Sequence, residues 1–188
     1  MVFEDYQKKS SVTVVFTGDN KGKTSAALGL MARALGADFK VAFVQFIKSW
    51  EVSEHKFIKK IMPVYQGKLV FYKGGLGFFN AGELSSSASE EDHKKEARKT
   101  YDFAYEAVKS GEYQLVICDE INNAVHDGLI STDDLKKLIV DKHLKTNLCL
   151  TGRNFPTELL DLVDIATDMT KLKHIYDDKV LANEGIDY

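Results

Sequence analysis

Runs of apolar residues alternate with polar turns along the whole chain, and their spacing predicts a regular alternation of strands and helices. Residues 12–29 begin with a β-branched run, pass through a polar turn that contains glycine, and continue into an alanine-rich stretch. This order predicts a strand, a loop and a helix that begins near Lys23 and ends at Gly36.

Later segments repeat this alternation. Strands are predicted over residues 40–47, 68–73, 114–118, 146–150 and 165–169. Helices are predicted over residues 51–62 and 91–109, after a capping box at residues 131–134, and in a short turn that includes Pro156. Apolar strands that alternate with helices are typical of a parallel sheet covered on both faces. At 188 residues the chain has the length of one such domain, with residues 1–11 predicted to be a short flexible arm.

The turn between the first strand and the first helix carries groups that bind phosphate. Gly18 and Gly22 can adopt positive φ without steric cost, so successive backbone N–H groups can face an anion at the positive end of the helix. Lys23 adds a charge for a terminal phosphate, and the Thr24 hydroxyl suits Mg²⁺. The loop is one residue tighter than G-x-x-x-x-G-K-[ST], because Thr17 stands where that pattern has its first glycine. Similar turns also occur in α/β units that bind no ligand.

Two carboxylates supply a second motif. Asp119 and Glu120 directly follow the apolar strand predicted over residues 114–118. Acidic residues at the carboxyl end of a strand, downstream of a phosphate loop, are typical of a magnesium nucleotide site. Asn122 and Asn123 either extend this polar network or cap the next turn.

Further polar residues fall at the ends of the predicted strands. Gln45 interrupts an apolar strand, where its side chain either has a protein partner or faces a ligand. Lys48 and Trp50 follow at the edge where open α/β sheets bind ligands. Arg153 follows the fifth strand, and we expect it to bind phosphate oxygens rather than to be an ordinary surface residue of a turn. Lys171, Lys173 and His174 bring more cationic or hydrogen-bonding groups near the last strand.

Residues 74–90 form a segment rich in glycine and serine that also contains Phe78 and Phe79. The two rings either pack beneath the segment as a satellite cluster or form a ligand platform on a mobile lid. His93 falls on the charged face of the next helix and is predicted to be solvated. Arg33, in the first helix, is either a snorkelling surface residue or part of the site.

Charge and composition narrow the classes of function. The net charge is -3 and the basic residues are spread along the chain, which does not indicate a nucleic-acid surface. Cys118 and Cys149 lie in apolar runs and are predicted to be reduced core thiols, and the histidines show no zinc or iron spacing with them. With no run of membrane length and no signal-peptide core, we expect a cytoplasmic protein with no membrane partner.

Ordered blocks along nearly the whole chain resemble the ATP:corrinoid adenosyltransferase family of the cobalamin-biosynthesis type. They read TGDNKGKTSAALGLMARALG, VAFVQFIK, ICDEINNAV, LTGR and KHIYDDKVLANEGIDY. The resemblance implies one P-loop (RecA-like) domain over residues 1–188, with a mostly parallel central sheet flanked by helices. It also implies an enzyme that transfers the 5′-deoxyadenosyl group of ATP to the Co(I) of a reduced corrinoid and releases triphosphate. Mg²⁺, a homodimer and an electron-donor protein such as a flavodoxin belong to the same expectation.

By matching position, the resemblance also implies roles for individual residues. ATP contacts are implied for Gly18, Asp19, Asn20, Lys21, Gly22, Lys23, Thr24, Ser25, Arg33 and Arg153. Magnesium is implied at Thr24 and Glu120, beside Asp119. Lys23, Arg153 and Glu120 are the expected catalytic residues. Corrinoid contacts are expected from Trp50, Phe78, Phe79 and Asn80.

Two positions depart from the family pattern. Asn20 stands where the family usually has glycine, although asparagine tolerates left-handed backbone better than most residues. Asn80 stands in the tryptophan position of a Gly-Phe-x-Trp segment whose aromatic rings, in the family, help to exclude the lower axial ligand of the corrinoid. Two alternatives stay open, the first because the phosphate loop with Asp119 and Glu120 would serve it equally well, and the second because of Asn80. One is a P-loop NTPase or small-molecule kinase, and the other is a catalytically silent sensor of nucleotide or corrinoid.

Overall fold

A six-stranded sheet in which all paired strands are parallel forms the centre of the computed structural model, which describes residues 5–79, 82 and 85–187. Its strands are β1 (Thr13–Thr17), β2 (Val41–Gln45), β3 (Leu69–Lys73), β4 (Leu115–Asp119), β5 (Asn147–Thr151) and β6 (Ile165–Asp168). They lie in the order β3-β2-β4-β5-β1-β6. The predicted strands are confirmed, and a sheet expected to be mostly parallel is parallel at each pairing. The chain is therefore a single α/β domain.

Helices connect the strands. They are α1 (Lys23–Gly36), α2 (Ser53–Ile61), α3 (Glu90–Ser110), α4 (Ile121–His126) and α5 (Thr132–Val140), with 3₁₀ turns at Thr157–Leu162 and Ile175–Asp178. Helix α2 is shorter than predicted because Val52 is extended and packs in the core with only 3% of its surface exposed. The sequence did not predict α4, which has only six residues and no side-chain cap. Within the described ranges, no helix has both the length and the apolar character that crossing a membrane requires.

Two apolar clusters cover the two faces of the sheet. Ala42 and Val44 belong to one cluster with residues of α3, α4 and α5, while Val41 and Phe43 belong to the other with residues of α1 and α2. Successive residues of a strand point to opposite faces, so this division follows from strand geometry. Cys118 and Cys149 are buried free thiols, one in each cluster, which confirms the prediction made for them.

The parallel register brings the carboxyl ends of the central strands to one edge of the sheet. Gln45 at the end of β2 lies opposite Asp119 at the end of β4. Cys118 lies opposite Leu150, so Thr151 follows beside Asp119. The phosphate loop after β1 opens at the same edge, because Phe16 pairs with Thr151.

Some predictions concern residues outside the described ranges. In the segment 74–90, residues 80, 81, 83 and 84 are not described, so the role of Asn80 and the mobility of the segment stay predictions. Residues 1–4 of the predicted arm are not described either. Farther along the arm, Lys9 forms an ion pair with Asp164, next to β6.

Candidate active site

The loop between β1 and α1 is shaped by two glycines with positive φ. Gly18 has φ 98° and Gly22 has φ 115°. A Cβ atom at Gly18 would lie 2.2 Å from Asp168 Oδ1 and 2.6 Å from the Met169 backbone nitrogen, so no larger residue fits there. The Asn20 N–H donates to the Met169 carbonyl at 3.2 Å. Asn20 is not among the residues with positive φ, so the loop closes without needing left-handed backbone at that position.

Lys23 spans the mouth of this loop. Its ammonium group donates to the carbonyl oxygens of Gly18 and Asn20, both at 2.6 Å. Burial, together with the nearby guanidinium of Arg153, lowers the pKa of Lys23. Two cationic side chains that repel each other at one loop form a site that favours an anion.

Asp119 is the most completely bonded carboxylate of this edge and is fully buried. Its Oδ1 accepts hydrogen bonds from the hydroxyls of Thr24 at 3.0 Å and Thr151 at 2.7 Å. Its Oδ2 accepts one from the Gln45 amide at 2.9 Å. The open question about Gln45 is therefore answered, since its side chain has a protein partner. Thr24 also connects the phosphate loop directly to the first of the two predicted carboxylates.

Glu120 has a strained and poorly solvated position. Its φ of 63° is left-handed, and its backbone N–H donates to the Thr151 hydroxyl at 2.9 Å. Its Oε1 lies 3.6 Å from the Lys48 ammonium, whereas its Oε2 is buried and has no hydrogen-bond partner among the described residues. Burial, and then the charge of Asp119, raise the pKa of Glu120 to about 7.

Lys48 offsets this concentration of negative charge. Its ammonium contacts Glu54 at 2.8 Å as well as Glu120. Burial acts to lower the pKa of Lys48, but the surrounding carboxylates outweigh that effect, so the pKa is raised. The sequence indicated only that Lys48 lies at this edge and not that it pairs with Glu120.

The oxygen atoms of this edge fit Mg²⁺. Thr24 offers a hydroxyl, Asp119 and Glu120 offer carboxylates, and a hard cation prefers oxygen ligands of this kind. The buried, unpartnered Oε2 of Glu120 is the sort of oxygen that a bound cation would satisfy.

Two side chains of α4 hold the turn that follows β5, and this turn lies at the same edge of the sheet. Asn122 is buried and donates to the Gly152 carbonyl at 3.3 Å, and the Asn123 side-chain oxygen accepts from the Arg153 backbone N–H at 2.7 Å. A Cβ atom at Gly152 would lie 2.6 Å from that Asn123 oxygen. Both asparagines therefore extend the polar network, and they hold the turn that presents Arg153.

A cavity of about 1040 Å³ opens above these groups, and we call it the main cavity. Among the residues predicted to bind ATP, those that line it are Asp19, Asn20, Lys21, Gly22, Lys23, Thr24, Ser25 and Arg153. Gly18 lies behind the loop, against Asp168 and Met169. Arg33 is exposed in the last turn of α1, roughly 15 Å along the helix from Lys23. The structure does not bring Arg33 to the main cavity.

The two candidate corrinoid phenylalanines have different environments. Phe78 lines the main cavity, and its ring centroid lies 4.7 Å from that of Trp50. Phe79 instead packs against the core, with its ring centroid 5.2 Å from that of His93. Each ring therefore follows a different alternative. Phe79 belongs to a packed cluster, whereas Phe78 faces the cavity.

The prediction that His93 is solvated is wrong. The side chain is buried, with 4% of its surface exposed, and its Nε2 lies 2.7 Å from the Ser86 hydroxyl. The Ser86 N–H donates to the Phe78 carbonyl, so the segment before α3 folds back over this helix. Helical spacing assigns a residue to the charged face but does not report a loop that covers that face.

Residues 171–187 form one wall of the main cavity, and we call this segment the C-terminal wall. Lys21 forms an ion pair with Asp187 at 2.6 Å and also donates to the Ile186 carbonyl at 2.6 Å. Lys171 and His174 line the cavity as well, whereas Lys173 is exposed and does not line it. The sequence predicted polar groups near the last strand but not that the segment forms a wall, because the segment has no apolar periodicity.

Comparison with known proteins adds independent information. A family model described as ATP:corrinoid adenosyltransferase BtuR/CobO/CobP matches residues 9–188. The corrinoid adenosyltransferase of Escherichia coli (strain K12) is 26% identical over 183 residues, which cover 97% of this chain and 88% of that protein. The corrinoid adenosyltransferase of Pseudomonas aeruginosa is 28% identical over 178 residues, which cover 94% of this chain and 83% of that protein.

The comparison of solved structures concerns the fold. The flagellar accessory protein FlaH from Methanocaldococcus jannaschii aligns with a TM-score of 0.53 at 14% sequence identity. The alignment covers 85% of this chain and 71% of FlaH. The predicted P-loop (RecA-like) fold is confirmed. A likeness at 14% identity concerns the fold alone and not the function.

Proposed function

This chain belongs to the ATP:corrinoid adenosyltransferase family, and we propose that its main cavity carries out the reaction of that family. The enzyme transfers the 5′-deoxyadenosyl group of ATP to the Co(I) centre of a reduced corrinoid and releases triphosphate. The observation that carries this proposal is that one cavity combines an anion-binding loop with an exposed aromatic ring, Phe78. Such a cavity suits a charged nucleotide tail and a flat macrocycle at the same time.

The chemistry needs no nucleophilic side chain. Co(I) donates an electron pair to the 5′ carbon of ATP, the bond between that carbon and its oxygen breaks, and triphosphate leaves with the bonding pair. The cobalt is thereby oxidised to Co(III) as the carbon–cobalt bond forms. Because the corrinoid supplies the nucleophile, the work of the protein is to orient the two substrates and to stabilise charge.

Charge grows on the triphosphate as it leaves, and the loop side of the cavity is suited to stabilise it. Lys23 and Arg153 line the cavity and supply cationic groups, and we expect the loop amides to add fixed donors. We propose that Lys23 exchanges its contacts with the Gly18 and Asn20 carbonyls for contacts with phosphate oxygens. Lys21 joins this set once its pairing with Asp187 is relaxed.

The carboxylate edge supplies the proposed magnesium site. Thr24, Asp119 and Glu120 would hold the ion, which when bound supplies positive charge to the triphosphate. Lys48 keeps Glu120 beside the cavity by pairing with it and with Glu54.

We propose that the corrinoid contacts the Phe78 and Trp50 pair. Both rings are 38% exposed; Phe78 lines the main cavity, and Trp50, which does not line it, packs against Phe78. Phe79 packs inward against His93, so it contributes by supporting the segment rather than by direct contact. For Asn80 we propose a corrinoid contact on the basis of the family pattern alone.

Further partners are proposed from the family and from the surface of the chain. A homodimer would cover apolar side chains around the C-terminal wall, where Leu172 is 100% exposed and Leu181 is 80% exposed. An electron-donor protein such as a flavodoxin would reduce Co(II) to Co(I). A cytoplasmic location is consistent with two free buried thiols.

Anaerobic mixing of the protein with ATP, Mg²⁺ and chemically reduced cobalamin tests the function. We expect the corrinoid spectrum to change to that of an alkylcobalt species, with one triphosphate released for each carbon–cobalt bond. Release of ADP and phosphate would instead indicate a P-loop NTPase or kinase. Binding of ATP without a carbon–cobalt bond would indicate a silent sensor.

A further inference from the structure

A chain of buried hydrogen bonds runs from helix α2 to the carboxylate edge without entering the main cavity. His55 in α2 is 1% exposed, and Gln45 at the end of β2 is fully buried. The Val52 N–H donates to His55 Nδ1 at 3.3 Å, and His55 Nε2 is hydrogen-bonded to Gln45 Oε1. Gln45 Nε2 then donates to Asp119 Oδ2 at 2.9 Å.

The chemistry of each group determines which partner donates in each of these hydrogen bonds. A backbone N–H only donates, so His55 Nδ1 is the acceptor and the proton of the neutral ring lies on Nε2. That proton is donated to the Gln45 carbonyl oxygen, which leaves the NH₂ group to face Asp119. A carboxylate accepts hydrogen bonds and donates none, so the reversed amide would place two oxygens against each other. Each partner therefore has one allowed orientation.

The surroundings of His55 agree with a neutral ring. Burial, and then the positive charge of Lys73, lower the pKa of the imidazole. The ring also packs beside Phe71, with the centroids 5.5 Å apart. Both the packing and the backbone contact at Val52 hold the ring in place.

We propose that His55 is a positioning residue for the nucleotide site: it fixes the Gln45 amide, which in turn fixes the Asp119 carboxylate against Thr24. The inference rests on the proposed function, because it assigns Asp119 to the magnesium edge. Without His55, the Gln45 amide is free to rotate, and Asp119 then loses one of the three donors that hold it. Supporting groups of this kind keep ligating carboxylates in their productive orientation.

Three variants separate hydrogen bonding from packing. His55→Phe keeps an aromatic ring beside Phe71 but removes both hydrogen bonds. His55→Gln keeps an N–H donor that can reach the Gln45 carbonyl. Phe71→Leu loosens the same packing and leaves the hydrogen bonds in place, so it is the matched control.

The first measurement is binding of ATP by calorimetry at a series of Mg²⁺ concentrations, without corrinoid. For His55→Phe we expect the Mg²⁺ concentration at half-maximal ATP binding to rise by about 10-fold. His55→Gln recovers most of that loss, and Phe71→Leu stays close to the wild type. Equal Mg²⁺ dependence in the wild type and His55→Phe would overturn the proposal, as would an equal loss in Phe71→Leu.

The second measurement is the histidine ¹⁵N spectrum of the full wild-type chain, with the His55 signals identified by their absence from His55→Gln. We expect the Nε2–H tautomer, and the opposite tautomer would overturn the proposal even if His55→Phe failed to fold. Neither measurement uses adenosyl transfer. Absence of a carbon–cobalt product would therefore reject the proposed function, while the ATP and ¹⁵N results would still decide the role of His55.

Discussion

The two ends of the main cavity are built in different ways. At the phosphate end, Asp119 is fully buried and accepts three hydrogen bonds, and Thr151 is fully buried beside it. At the aromatic end, Phe78 and Trp50 are each 38% exposed, and Tyr176 of the C-terminal wall is 72% exposed. At the phosphate end the key carboxylate is already held by hydrogen bonds within the protein, whereas the aromatic end presents open surface.

This difference matches the demands of the two proposed ligands. Stabilising a leaving triphosphate requires donors and charges that are already oriented, since reorienting them during the reaction would cost part of the benefit. A large flat ligand instead gains affinity from the area it covers, and side chains that are ordered on binding can provide that area. If the two ends behave independently, a substitution at one end leaves the binding of the other ligand unchanged.

The largest effect is expected for Lys23→Ala at the phosphate end. A lysine about 4 Å from a developing charge contributes roughly 4 kcal/mol at an effective dielectric near 20, before desolvation costs. We therefore expect the rate of carbon–cobalt bond formation at saturating substrates to fall on the order of 10² to 10³ fold. Lys94→Ala is the control, because that lysine forms an exposed pair with Glu90 on α3. A turnover like that of the wild type in Lys23→Ala would remove the loop from the mechanism.

Gly18→Ala tests the backbone of the loop. The residue has φ 98°, and the added Cβ would lie 2.2 Å from Asp168 Oδ1 and 2.6 Å from the backbone nitrogen of Met169. Left-handed strain together with overpacking lowers the free energy of unfolding by about 2–4 kcal/mol. Thermal or urea unfolding measures this, and ATP binding should weaken in parallel.

The matched control for the loop is Gly29→Ala in α1. Apart from its chain neighbours and the local helix backbone, no atom of the described residues lies within 4 Å of the Cβ position at Gly29, which is in the middle of a helix. Alanine at this position should raise the free energy of unfolding by up to about 1 kcal/mol. Equal stability of the two variants would mean that the loop does not need the left-handed backbone at Gly18.

Glu120→Gln should stabilise the protein in the absence of Mg²⁺ while impairing activity. Burial and the charge of Asp119 raise the pKa of Glu120 to about 7 in the folded state, above its ordinary value of 4.5. Between these two pH values the folded state binds more protons than the unfolded state, so this group makes the wild type less stable as pH rises. At pH 8, above both pKa values, the variant should be more stable by on the order of 3 kcal/mol.

Unfolding by urea at several pH values between 5 and 8 measures that difference. Glu112→Gln is the control, since the Glu112 carboxylate is exposed and lies 3.7 Å from the Lys40 ammonium. If Glu120→Gln and Glu112→Gln had the same pH dependence of stability, the buried charge at the phosphate end would not be the cause.

The smallest effect is expected at the aromatic end, for Phe78→Ala. The variant loses the ring contact with Trp50 and the apolar surface in the cavity. Aromatic contacts of this kind contribute about 0.5–1.5 kcal/mol in addition to the free energy gained from the apolar area they bury. The KM for corrinoid should therefore rise about 10-fold, with the KM for ATP unchanged. Phe39→Ala is the control, with the same 38% exposure but no place in the cavity lining. An equal rise in both KM values would show that the two ends are coupled.

The chain of strands and helices, the phosphate loop and the two carboxylates could be predicted from the sequence because each is a local pattern. β-branched runs, the glycines before Lys23 and the acidic pair after β4 occupy neighbouring positions in the chain. Parallel strands bring their carboxyl ends to one edge, so the meeting of Thr24 with Asp119 follows from the order of elements.

Other features were decided only by tertiary structure, because they depend on contacts between residues far apart in the chain. Helical spacing placed His93 on a charged face, but the segment that contains Ser86 covers that face. Composition did not distinguish Phe78 from Phe79, and their difference depends on which ring reaches the core. The sequence pattern around Asp187 contains no sign of its pairing with Lys21, since periodicity reports which face of an element is apolar and not which distant group will meet it.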